Sequence, residues 1–96
     1  MPQYVSLMKF TAQGISTIKS SPDRVKSART AIEAAGGQMI SYHVTLGQYD
    51  GIAITEFPND EAAATLLLAI GSQGNITSET MRAFTEDEYA ALVANL

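Results

Sequence analysis

Three polar side chains stand among apolar neighbours at places where they could do chemistry. His43 is the only histidine, and because imidazole titrates near neutral pH it could act as a general base or as the axial ligand of a haem. Glu56 ends an otherwise apolar run, and a carboxylate in such surroundings could serve in proton transfer. Arg82 could hold an anionic ligand with its planar guanidinium. Each also has a structural alternative: a hydrogen-bonded interface histidine for His43, and for Glu56 an ion pair with Arg82 or Lys9.

A glycine-marked turn, Leu46-Gly-Gln-Tyr-Asp-Gly51, adds two more candidate residues. Asp50 is expected to bond the backbone of the turn, and Tyr49 to pack over the hairpin. The functional alternative is that both residues rim the mouth of a cavity. Gly71-Ser-Gln-Gly-Asn75 lacks the lysine of a phosphate-binding loop and follows a helix, so it is predicted to be a connector.

The elements that must position these residues are predicted in the order β-α-β-β-α-β, followed by a terminal helix. Alternating and β-branched residues bounded by turns predict strands at residues 4–10, 39–46, 52–57 and 76–84. Ser21-Pro22-Asp23 predicts the start of the first helix, with Ser21 as its N-cap, and Gly36-Gly37 its end. Asn59 starts the second helix. Thr85-Glu-Asp-Glu88 is a capping box for an amphipathic third helix.

This order predicts an α+β, ferredoxin-like fold with a four-stranded antiparallel sheet and helices on one face. In strand two, alternation assigns Ile40, Tyr42, Val44 and Leu46 to the helix side, and Met39, Ser41, His43 and Thr45 to the other side. The second face is expected to pack against the sheet of a second copy. The enclosed cavity would carry His43, Glu56 and Arg82 as polar groups, with Tyr4 and Phe10 as aromatic walls.

Length and composition indicate the number of domains and exclude several classes of function. The 96 residues make one domain, residues 1–96, and 17% charged residues is few for so small a surface, which favours a homo-oligomer. A net charge of −4 with scattered basic residues disfavours nucleic-acid binding. With no cysteine and one histidine, no Cys-ligated or all-histidine metal site is predicted within a chain. No signal peptide is recognised, and the longest apolar run, 62–70, is too short for a membrane helix, so a cytoplasmic protein is expected.

Short segments along nearly the whole chain are similar to the GYD-domain family. They comprise residues 4–11, the Ala34-Ala-Gly-Gly37 helix end, Leu46-Gly-Gln-Tyr-Asp50, Glu56-Phe-Pro58, Gly74-Asn75 and Thr80-Met-Arg-Ala-Phe84, with Gly47, Tyr49 and Asp50 as the naming motif. The resemblance implies a ferredoxin-like fold of the dimeric α/β-barrel group. It implies no particular activity, because folds of this kind host unrelated functions.

The sequence thus predicts a homodimer or higher homo-oligomer that binds a small, partly apolar molecule between its sheets. Candidate ligand contacts are Tyr4, Phe10, Ser41, His43, Tyr49, Asp50 and Arg82, and the candidate catalytic residues are His43 and Glu56. One alternative is a cofactor-independent oxygenase or isomerase with His43 as its base. Another is a structural or assembly module whose cavity is filled by side chains. No cofactor is identified by the residues.

Overall fold

Four antiparallel strands form one sheet in the order β2-β3-β1-β4 in the computed structural model, which describes all 96 residues. The elements are β1 (Gln3–Phe10), α1 (Ala12–Ser16), a 3-10 turn (Ile18–Ser20), α2 (Ser21–Ala34), β2 (Gln38–Val44), β3 (Gly51–Glu56), α3 (Asp60–Ser72), β4 (Ile76–Ala83) and α4 (Glu86–Ala94). The ferredoxin-like α+β class is confirmed, and the predicted order holds with the short helix α1 and the 3-10 turn added between β1 and α2.

Local sequence signals account for most helix ends. The side chain of Asn59 accepts a hydrogen bond from the Ala62 N–H at the start of α3, and Thr85 and Glu88 form the reciprocal capping box of α4. Gly36 ends α2 with a φ of +83°, a left-handed conformation that favours glycine.

The predicted cap of α2 at Ser21 is wrong, because Ser21 is already the first residue of the helix. The 3-10 turn runs directly into α2. Ser20, the last residue before α2, therefore has helical backbone angles, and its side chain makes no capping hydrogen bond. A capping side chain needs an extended backbone to reach back to the first amides.

The core lies between the sheet and helices α2 and α3. Tyr4, Ile32, Phe57 and Ala63 are buried together, and the rings of Tyr4 and Phe57 meet edge to face with centroids 5.8 Å apart. Both helices cover the same side of the sheet, so the opposite side lacks a covering layer. We call these two sides the covered face and the uncovered face.

A β-bulge in β2 changes one predicted assignment. The register of β2 against β3 shifts between Met39, which pairs with Thr55, and Ser41, which pairs with Ile54. An extra residue reverses the alternation, so Met39 lies on the covered face and its predicted placement beside Ser41 and His43 is wrong. Ser41 and His43 do lie on the uncovered face, as predicted.

Three residues predicted to line a cavity between sheets also lie on the covered side. In β1, Tyr4 and Phe10 share the covered face, and Arg82 pairs with Tyr4 across β1 and β4. Their placement as walls of an intersheet cavity is therefore corrected. Leu46, predicted to face the helices, lies beyond the end of β2 and is fully exposed.

Helix α4 forms as predicted but buries none of its residues. Its apolar side chains Tyr89, Leu92 and Val93 are 62%, 50% and 46% exposed. The radius of gyration is 14.3 Å, whereas a compact domain of this length has about 12.5 Å. The molecule measures 49 × 31 × 17 Å, an elongated shape. None of its helices combines the length and the apolar character needed to cross a membrane.

Candidate functional site

The centre of the uncovered face is apolar. Val5 and Leu7 of β1 pair with Ile54 and Ile52 of β3, and on the other side Val5 pairs with Met81 of β4. Neighbouring residues on one face of a sheet stand close enough to form a continuous surface. The four residues of β1 and β3 are partly exposed and Met81 is 47% exposed, and apolar patches bordered by polar groups are typical of binding surfaces.

His43 and Ser41 border this patch along the edge strand β2. His43 pairs with Ile52 and its imidazole makes no hydrogen bond within the chain, so the ring is available to a partner or ligand. Glu56 lies on the same face, where it accepts a hydrogen bond from Gln3 Nε2 at 3.2 Å.

The two candidate catalytic residues are far apart. Ile52, which stands opposite His43, and Glu56 are four residues apart along β3, which separates them by about 13 Å at the rise of a β-strand. They cannot exchange a proton directly within one chain. The predicted ion pairs of Glu56 with Arg82 and with Lys9 are not formed, since Arg82 instead lies 3.9 Å from Glu88.

Tyr49 closes one end of the uncovered face. Its hydroxyl lies 3.2 Å from Glu79 Oε2, and Lys9 Nζ lies 5.5 Å from the centre of its ring. Lys9 and Glu79 both belong to the uncovered face. The hydrogen bond to Glu79 raises the pKa of Tyr49, because the neutral phenol donates to the carboxylate. Tyr49 thus lies at the rim of the face.

Asp50 fastens the β2–β3 hairpin to the end of β1. Its carboxylate accepts the Phe10 N–H at 2.9 Å, and its own N–H donates to the Met8 carbonyl at 2.8 Å. Its carbonyl accepts the Thr45 N–H at 2.9 Å. The Asp50 backbone thus bonds within the hairpin, whereas its side chain bonds a distant strand and not the backbone of its own turn as predicted.

On the covered side, the Tyr4 hydroxyl donates to Asp60 Oδ1 in the first turn of α3. Burial, and then this bond to the carboxylate, raise the pKa of Tyr4. Arg82 stacks over Phe84, with 4.5 Å from its guanidinium carbon to the ring centre. These residues hold α3 and the α4 connection to the sheet.

Sequence reasoning did not identify Asp60 as the partner of Tyr4. The available signal was the acidic first turn of α3, which is usual for any helix. It also did not single out Thr55, which stands on the covered face opposite Tyr4. Tyr42 lies on the covered face, as the alternation of β2 predicts. No group of three or more His, Asp or Glu side chains is arranged to hold a metal ion.

A four-stranded antiparallel sheet with helices on one face and an apolar opposite face defines the chain as a ferredoxin-like α+β protein. It belongs to the GYD domain family, whose model matches residues 4–93.

Three known proteins are similar to this chain in sequence or in fold. A Thermus thermophilus protein named glutamine synthetase and cystathionine beta-lyase binding protein is 27% identical over 97 residues, covering 100% of this chain and 99% of that protein. The structure of FFRP-DM1 has a TM-score of 0.63 at 17% identity, covering 88% of this chain and 100% of that one. The feast or famine regulatory protein of M. tuberculosis, complexed with L-methionine, has a TM-score of 0.67 at 12% identity and 88% coverage of this chain. This chain spans 51% of the length of that protein. At these identities the two structures show the fold alone.

Proposed function

We propose that this chain is a self-associating binding protein. Two copies meet through the uncovered faces of their sheets, and the resulting dimer binds another protein, an enzyme. The observation that carries the proposal is the apolar centre of the uncovered face, formed by Val5, Leu7, Ile52 and Ile54 on the two middle strands.

A second copy suits this face in shape and character. Two sheets pack face to face about 10 Å apart when the side chains of both inner faces interdigitate. The apolar residues stand on the central strands, whereas Lys9 and Glu56 stand towards strand ends and Glu79 stands on the edge strand β4. An apolar core with a polar rim is the usual anatomy of a protein interface.

The class of partner is proposed from the Thermus thermophilus relative. Its name states that it binds two enzymes, and it matches this chain along its whole length. We propose an enzyme as the partner here as well. Helix α4 supports a second binding surface, because its apolar side chains Tyr89, Leu92 and Val93 stay exposed.

A small, partly apolar molecule could be enclosed where the two sheets face each other. Ser41 and His43 would supply its polar contacts, and Tyr49 would close one end of the pocket. Use of His43 as a catalytic base stays a prediction, since no carboxylate bonds its imidazole within the chain. The proposal places the protein in the cytoplasm, as the sequence predicts.

Native mass spectrometry of the protein purified from its own host tests both parts of the proposal. The expected spectrum contains a species of twice the 10.2 kDa chain mass, together with larger species that include an enzyme. A spectrum with the 10.2 kDa chain alone would contradict self-association. Dimers that carry no other protein would contradict the partner.

A further inference from the structure

We propose that a cavity on the covered face, between α2 and α3, binds a small neutral molecule with one ring and one hydroxyl group. This site lies on the opposite side of the sheet from the proposed dimer interface. It is therefore independent of the function proposed above.

The cavity is a wedge with the sheet as its floor. At its closed end, Ile32 of α2 and Ala63 of α3 pack on Phe57 in the core. Beyond this point small residues on α2, Ala28 and Ala31, face Leu67 of α3 across a space of about 180 Å³. An apolar cavity of about 150 Å³ is large enough for benzene, whereas a helix about 10 Å across does not fit. The occupant is therefore a small molecule and not a helix of a second copy.

Contacts with backbone carbonyl groups keep the wedge open by holding α2 at both ends. Past its C-terminal end, a Cβ on Gly37 would stand 2.3 Å from the Glu56 carbonyl oxygen, so the chain lies directly against β3 there. Near its N-terminal end, Arg24 donates to the carbonyls of Thr17 and Gly14 at 3.0 and 3.2 Å. Gly14 in turn lies so close to Asn75 that an added Cβ would stand 2.0 Å from its carbonyl oxygen. Helix α2 cannot move onto α3 without breaking one of these contacts.

The floor offers a hydroxyl group that has no partner in the protein. Thr55 lines the cavity and is only 6% exposed as a residue, but its hydroxyl, which makes no hydrogen bond within the chain, is open to the cavity. Ser6, also on the floor, is already bonded to Thr80 at 2.8 Å. Because no group of the protein bonds this hydroxyl, a ligand hydroxyl that reaches it adds one hydrogen bond in a site with few other polar groups.

The ligand is neutral because of the charges around the cavity. Arg24 is the only ionisable lysine, arginine or carboxylate among the lining residues, and it is occupied by Thr17 and Gly14. Tyr42 stands at the same end with its hydroxyl close to Gly51, and burial, followed by Asp50, raises its pKa, so it is protonated at neutral pH. A carboxylate in the wedge would be costly to desolvate, and the one cation of the lining, Arg24, is held near the N-terminal end of α2 by its bonds to Thr17 and Gly14.

NMR titration of the ¹⁵N-labelled full chain with p-cresol, toluene and 4-methylbenzoate tests the proposal. These probes share one ring size and differ in their polar group. We expect p-cresol to shift the amides of Ala28, Ala31 and Leu67, and to bind about fivefold more tightly than toluene, as one neutral hydrogen bond allows. 4-Methylbenzoate is expected to bind at least about tenfold more weakly than p-cresol.

Matched variants locate the hydrogen bond. Thr55→Val keeps the side-chain shape and is expected to lower p-cresol affinity to that of toluene, leaving toluene unchanged. Thr77→Val makes the same change on the uncovered face of β4 and should alter neither. Ala28→Met is expected to fill the wedge and abolish binding of both.

Three results would overturn the proposal. The first is that no probe saturates, or that the shifted amides lie on the uncovered face. The second is an unchanged ratio of p-cresol to toluene affinity in Thr55→Val. The third is tightest binding by 4-methylbenzoate, which would assign the site to anions and to Arg24.

Discussion

Substitution of Ile54 by lysine is predicted to separate the two copies while leaving each one folded. Ile54 stands on the central strand β3, opposite Val5 on one side and Ser41 on the other, in the middle of the uncovered face. In a single copy the lysine stem can lie along the apolar surface with its ammonium in water, so the cost to the fold is within about 1 kcal/mol.

In a dimer the same lysine is buried twice. A two-fold interface uses the same patch of both copies. One substitution per chain therefore places two unpaired ammonium groups in the dimer interface. Burying unpaired charges and opposing like charges each cost several kcal/mol. A total of at least about 4 kcal/mol raises the dissociation constant about a thousandfold.

Thermal unfolding followed by circular dichroism over a hundredfold range of protein concentration measures this effect. Because a dimer is stabilised by mass action, the Tm of the wild type should rise with concentration, and that of Ile54→Lys should not. Thr65→Lys, on an exposed position of α3, adds the same charge away from the sheet and should behave as the wild type. An Ile54→Lys variant that keeps the wild-type concentration dependence would refute the assigned interface.

Three further predictions concern the fold that carries the site. Gly14→Ala should lower the free energy of unfolding in urea by at least about 2 kcal/mol, since the new Cβ would meet the Asn75 carbonyl oxygen at 2.0 Å. The control Gly71→Ala, whose Cβ would have no atom within 4 Å, should not be destabilising. An equal loss in both variants would contradict the packing of α1. Because the folded-state pKa of Tyr4 is raised, the stability that Tyr4 contributes is present below about pH 10 and is lost as pH rises through the folded-state pKa. Urea midpoints between pH 8 and 11 should therefore fall more steeply for the wild type than for Tyr4→Phe. Parallel curves would contradict a contribution of the neutral Tyr4 hydroxyl to stability. Thr85→Ala should weaken the α4 capping box by about 1 kcal/mol and raise amide hydrogen exchange in α4. The global free energy of unfolding should not change, because α4 buries no residue. An equal loss of global stability would show that α4 is part of the core.

The order of elements could be predicted from local signals alone. The capping box at Thr85 and Glu88, the cap at Asn59 and the left-handed glycine at Gly36 each act within a few residues. Their physical causes are therefore fully contained in short stretches of sequence.

The faces of the strands could not be predicted as well. The bulge between Met39 and Ser41 reverses the alternation within β2, and nothing in that stretch marks the extra residue. Tyr4 and Phe10 are aromatic and suit either face, and the helices that cover one of them come later in the chain. The sequence therefore predicted His43 and Ser41 correctly on the uncovered face, but it did not separate them from Tyr4, Phe10 and Arg82.

The role of Asp50 shows a similar limit. Its residue type predicts a turn, and a turn is found, but its carboxylate bonds the Phe10 N–H 40 residues away along the chain. Contacts of this range depend on which strands are neighbours in the sheet. They follow from the topology and not from the local sequence.

Sedimentation equilibrium of the wild-type chain tests self-association most directly. At a concentration of about 10 µM, well above the dissociation constant of a stable dimer, the predicted mass is twice the 10.2 kDa of one chain. A single species of 10.2 kDa would contradict the account.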